Sequence, residues 1–96
     1  MLDAYAIFST HAKERLKESN VSVSKAAYML YNAEKEKLDK NLRQYKNKRY
    51  GDEEQLFYRY GTFIFTLRKI KDKYSGDECY LVLTVTDQRL TLHLYK

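Results

Sequence analysis

An imidazole and a guanidinium stand one helical turn apart near the start of the chain, in His11-Ala12-Lys13-Glu14-Arg15. Residues four apart on a helix share a face, so the two side chains can reach one ligand group. A titratable proton carrier beside a permanent cation suits phosphate chemistry, because one moves a proton while the other steadies the anion. A solvated helix face that binds nothing is the other reading of the pair.

The second half of the chain offers Arg68, Thr84 and His93, with Arg59 and Arg89 close by in sequence. There is no GxSxG elbow, Gly-rich phosphate loop or acidic metal cluster in the sequence. Cys79 is the single cysteine. It cannot form an internal disulfide, and with two distant His residues it makes no zinc pattern. The remaining inventory of His, Arg, Thr and Tyr is what metal-independent RNA cleavage uses: a base for the ribose 2′-OH, cations for the phosphate and an acid for the leaving oxygen. The candidate catalytic set is His11, Arg15, Arg68, Thr84 and His93, with no cofactor and no metal.

Net charge is +5 with a pI near 9.3, which draws a small domain toward nucleic acid or an acidic protein. The run Arg43-Gln44-Tyr45-Lys46-Asn47-Lys48-Arg49-Tyr50 interleaves four cations with two aromatics just before Gly51. It reads either as a phosphate-contacting arm or as a helix end whose cations complement the dipole. Candidate nucleic-acid contacts are Arg43, Lys46, Lys48, Arg49, Tyr50, Arg59, Arg89 and Tyr95. Ten of the 96 residues are Tyr, which either pack the edges of a small core or stack on bases; Tyr58, Tyr60, Tyr80 and Tyr95 are the candidate stacking platform. No apolar run approaches the roughly 20 residues of a membrane span, so a cytoplasmic protein without membrane contact is expected.

The elements that must position these residues follow from punctuation. Pro is absent and the Gly residues are Gly51, Gly61 and Gly76, all in the second half. The first half is rich in Ala, Leu, Lys and Glu, and the second in Tyr, Phe, Thr, Val and Leu. One α+β domain over 1–96 is expected, with a helical half at 9–50 and a sheet half at 55–96. Helix 1 should run from about residue 10 to 19, capped by Ser9-Thr10, with Asn20 as its stop. Helix 2 should start after Ser22 with the stripe Val23, Ala26, Ala27, Leu30 and Tyr31. If continuous to residue 46 it would be about 37 Å long, longer than the domain; otherwise it breaks near Asn32. Tyr31, Leu38 and Tyr45 at seven-residue spacing would permit a homodimer seam, interrupted by Lys35.

Four strands are expected at 55–60, 62–70, 79–86 and 89–95. A hairpin closed by Asp87-Gln88 would pair Thr86 with Arg89, Thr84 with Thr91, Val82 with His93, and Tyr80 with Tyr95. Its core face would hold Leu81, Leu83, Val85, Leu90, Leu92 and Leu94 against the helices, joined by Phe63, Phe65 and Leu67. Thr66 and Arg68 would join the polar face.

Phe8-Ser9-Thr10-His11-Ala12-Lys13-Glu14-Arg15-Leu16, then Val21-Ser22, Ala26-Ala27 and the late Leu83-Thr84-Val85, resemble small His-Ala-x-x-Arg domains related to BrnT and RelE-type toxins. The resemblance covers roughly residues 5–33 and 79–95. It implies a short N-terminal strand, two helices, then a four-stranded antiparallel meander with helices on one face and a ribosome-dependent or free endoribonuclease on the other. The family's second Arg is Ser19 here, and its Gly at the helix junction is Asn20. The expected function is therefore a toxin-type, metal-independent endoribonuclease acting on RNA or the ribosome and paired with an acidic antitoxin. The alternative is a non-catalytic phage- or plasmid-type protein that binds a host protein or nucleic acid through a basic, Tyr-rich surface.

Overall fold

The computed structural model describes residues 4–36, 45–46 and 54–88. The chain runs β1 (Ala6–Phe8), α1 (Thr10–Glu18), α2 (Val23–Tyr31), β2 (Glu34–Glu36), β3 (Leu56–Tyr60), β4 (Phe63–Lys71) and β5 (Glu78–Asp87). The strands form one mixed sheet in the order β1-β5-β4-β3-β2, with β1 parallel to β5 and every other pair antiparallel.

Ser9 turns the chain from strand to helix. Its hydroxyl accepts from the Ala12 amide at 3.1 Å, capping α1, and donates to the Leu83 carbonyl at 3.1 Å. One side chain thus caps the helix and ties it to β5. α1 is closed just past its Ser19 cap by Asn20, whose φ of 58° is left-handed. Val21 N–H then reaches the Leu16 carbonyl at 2.9 Å and Asn20 N–H the Lys17 carbonyl at 3.1 Å, a Schellman closure. Asn tolerates this conformation better than most residues, so a Gly is not required there. Ser22 caps α2 by accepting from the Lys25 amide at 3.1 Å.

α2 stops at Tyr31, resolving the expected break at Asn32. The Asn32 side-chain amide donates back to the Tyr28 carbonyl at 2.8 Å, competing with continuation of the helix. The chain then enters β2, Glu34-Lys35-Glu36, which helical spacing had assigned to a longer helix. Charged helix formers are held extended here because their backbone pairs with β3, Glu34 opposite Arg59 and Glu36 opposite Phe57. With β2 between them, Tyr31 and Tyr45 do not share one helix as the dimer seam required, and Leu38 lies outside the described residues. Tyr45 instead packs on Phe57 and Ile64.

The expected meander is corrected in two ways. The strands that follow the helices begin with β2, which was expected to be helical, and β1 joins them in one five-stranded sheet through a parallel pairing with β5. Asp87 is also a strand residue, opposite Phe63, rather than part of a hairpin turn. The segment 89–95 lies outside the described residues. Tyr80, Leu81 and Val82 of β5 have β1 on one side and β4 on the other.

The main core lies between helices and sheet. It joins Phe8, Ala12, Leu16, Ala26, Met29, Leu30 and Ala33 to Tyr58, Phe63, Phe65, Leu67, Tyr80, Val82 and Val85. A bulge decides which β5 residues face it. Thr66 is opposite Thr84 while Leu67 is opposite Val82, leaving Leu83 without a β4 partner. The extra residue flips the alternation, so Tyr80 and Val82 before it and Val85 after it share the helix side. Of the three β5 residues expected there, only Val85 joins that core. Leu83 is buried elsewhere.

Candidate functional site

α1 rests on the sheet through Ala12 and Leu16, both buried, and leaves His11, Lys13, Glu14, Arg15 and Lys17 exposed. His11 and Arg15 therefore share an accessible surface, as their spacing requires. Arg15 is turned to its own helix, with Nη1 3.0 Å from a Glu18 oxygen. Both groups are well exposed, so the pair holds Arg15 weakly. A carboxylate beside the guanidinium nonetheless opposes the approach of a phosphate.

Arg68 and Thr84 point away from α1. Phe65 and Leu67 face the helices, so the residues alternating with them, Thr66 and Arg68, take the opposite face. Thr84 is directly across from Thr66 and shares that face. Arg68 and Thr84 are thus near neighbours on one side of the sheet, while His11 and Arg15 lie in the layer on the other. His93 lies outside the described residues.

The far face is not the open polar platform expected from the sequence. Thr66 is fully buried, and its hydroxyl donates to the Tyr45 carbonyl at 2.9 Å. Phe57 and Ile64 form a second small core beneath Tyr45. Arg59 donates to Glu36 at 3.0 Å and to the Gln88 side-chain oxygen at 2.7 Å, and the Gln88 amide donates to the Tyr45 hydroxyl at 3.1 Å. The Arg59 guanidinium, a candidate phosphate contact, joins β3 to β2 and to Gln88 at the end of β5. Tyr58 and Tyr80 are also withdrawn from the stacking platform, each only 5% exposed in the helix-side core. Tyr60 stays exposed at the end of β3 and Lys46 is half-buried. Arg43, Lys48, Arg49, Tyr50, Arg89 and Tyr95 lie outside the described residues.

Two perturbed groups sit at the β1 edge. The Tyr5 hydroxyl donates to Asp72. The Asp72 carboxylate, followed by the Cys79 thiol, pushes the phenol far above its ordinary range. The phenol and the Tyr74 and Ser75 amides hold the Asp72 carboxyl below the usual carboxylate range. This contact fastens the entry to β1 onto the β4–β5 turn. Cys79 is buried and free. Among the described residues no group of three or more His, Cys, Asp or Glu is placed to hold a metal ion, and no helix is long and apolar enough to cross a membrane.

Two cations were missed by sequence reasoning. Lys35 and Lys69 line a cleft with Arg68, Glu54 and Leu56. Strand alternation would have set Lys69 beside Leu67 on the helix-side face. No local signal marked Lys35, which helical spacing assigned to α2. No protein-family model matches the chain, and no curated protein or solved structure shows significant similarity to it.

Proposed function

We propose that this protein is a non-catalytic binder of nucleic acid that engages an anionic strand through its basic surface. The separation of the candidate catalytic groups carries this reading. An enzyme needs proton carriers and cations within about 3 Å of the reacting atoms, whereas a binder needs only breadth. His11 and Arg15 on the α1 surface, and Arg68 and Thr84 across the sheet, favour breadth. The exposed Lys13, Lys17, Lys25, Lys35, Lys69, Lys71 and Lys73, within a net charge of +5, supply the attraction.

The test is binding of the full chain to single-stranded RNA as salt rises, run beside a cleavage assay in EDTA. Binding that weakens steeply between low and physiological salt, with the RNA left intact, is the expected outcome. Cleavage that falls about 10²–10⁴-fold in His11→Ala would instead establish the toxin-type endoribonuclease, with that imidazole as general acid or base. Failure to bind RNA even at low salt would leave an acidic host protein or antitoxin as the partner.

A further inference from the structure

β3 and β4 separate at one corner of the sheet. Their pairing ends where Leu56 faces Leu67, while β4 continues beside β5 through Arg68–Lys71, with Lys71 opposite Glu78. The step leaves a cleft of about 370 Å³ lined by Lys35, Glu54, Leu56, Arg68 and Lys69. Lys35 comes from the edge strand β2 and Lys69 from the overhanging end of β4. Leu56, half-buried against the main core, lies between them in the sheet.

Lys35, opposite the core residue Tyr58, and Lys69, two residues beyond the core residue Leu67, share the helix side of the sheet with Leu56, so two ammonium groups converge on this cleft and concentrate positive potential there. These two cations have no structural task. Neither Lys35 nor Lys69 makes a side-chain hydrogen bond or ion pair among the described residues, and both are exposed. Arg59 is the contrast, since its charge is committed to Glu36. Among the described residues no aromatic ring lines the cleft, so none of them offers a face on which to stack a base. Its volume exceeds that of a lone phosphate and leaves room for the attached sugar against Leu56.

We infer that this cleft seats a backbone phosphate of a single nucleic-acid strand, with Lys35 and Lys69 as its two ammonium contacts and no reading of base sequence. The inference rests on the nucleic-acid reading above. Ammonium groups act as point charges, so contact follows the backbone and is indifferent to the bases.

The experiment is fluorescence anisotropy with a labelled single-stranded ribo-oligonucleotide across a salt series. It compares the wild-type chain, the Lys35→Ala/Lys69→Ala variant and the equally charged Lys13→Ala/Lys17→Ala variant on α1. All four lysines are exposed, and a thermal melt checks that each variant folds. The cleft variant should bind more weakly than the α1 variant, its log–log salt slope shallower by about 0.7 for each lost contact. Lys35→Arg/Lys69→Arg should restore the slope. If wild type binds RNA and the two alanine variants behave alike, the cleft assignment is overturned while the nucleic-acid reading stands. If wild type binds no RNA at low salt, both fall.

Discussion

The two faces of the sheet are closed by different physics. On one, α1 and α2 cover Tyr58, Phe63, Phe65, Leu67, Tyr80, Val82 and Val85 with an apolar layer of their own. That closure is non-directional and scales with the area removed from water. On the other, the apolar cluster among the described residues is Phe57 and Ile64, with Tyr45 packed on it. Hydrogen bonds from Thr66 and Gln88 to Tyr45, and from Arg59 to Glu36 and Gln88, do the rest. The first face tolerates imperfect fit but depends on bulk. The second depends on individual atoms, and it draws in the polar groups that a ligand would otherwise have met.

The largest expected effect is therefore on the helix-covered face. Phe65 is fully buried, and Phe65→Ala should cost about 3–5 kcal/mol, measured by urea unfolding. A loss below about 1 kcal/mol would mean that this core is loosely packed.

Next comes the far face. Thr66→Val keeps shape but leaves the Tyr45 carbonyl without its donor, at a cost of about 1–3 kcal/mol. If Thr66→Val is neutral, the hydrogen bond does not secure Tyr45 and the contrast between the faces weakens. Ser9→Ala removes both the α1 cap and the bond to the Leu83 carbonyl, so it should cost roughly 1–2 kcal/mol.

Glu36→Gln tests the ion pair with Arg59. Each side chain is 35% exposed, so solvent screening should hold the loss to about 1 kcal/mol or less. High salt should narrow the gap to wild type.

The smallest effect belongs to the Tyr5–Asp72 contact, which is read through pH. Folding lowers the Asp72 pKa, so its contribution is present above the ordinary carboxylate value of about 4 and is lost as pH falls through the lowered one. Folding raises the Tyr5 pKa, so its contribution is full below the ordinary phenol value of about 10 and fades only above it. Thermal melts of Tyr5→Phe should lie below wild type at neutral pH and converge with it in strong acid. A gap independent of pH would show that the contact works through packing alone.

Much of the fold was legible because local rules act on adjacent residues. Both helix starts follow from Ser9 and Ser22, each with a hydroxyl placed to accept an amide three residues on. The β3–β4 turn follows from Gly61, whose φ of 58° suits the first central position of a two-residue loop. β2 was not legible, since Glu-Lys-Glu favours a helix and only β3 pulls it straight. Neither was the site. Helical spacing correctly put His11 and Arg15 on one surface, and alternation put Thr66 and Arg68 together. Nothing local indicated that the Arg59 guanidinium would be consumed by Glu36, a residue 23 positions earlier.

By itself the sequence determined the class of architecture, the caps, the turns at Gly61 and Gly76 and the excess of positive charge. Each of these is a property of single residues or of neighbours within one turn of helix or one hairpin. The tertiary structure alone decided the order of strands, the parallel β1–β5 pair, the bulge at Leu83 and the division of cations into committed and free. Those depend on which distant segments meet. A bulge of one residue on β5 is enough to reverse which side chains meet the helices, because side chains in a strand alternate with a period of two.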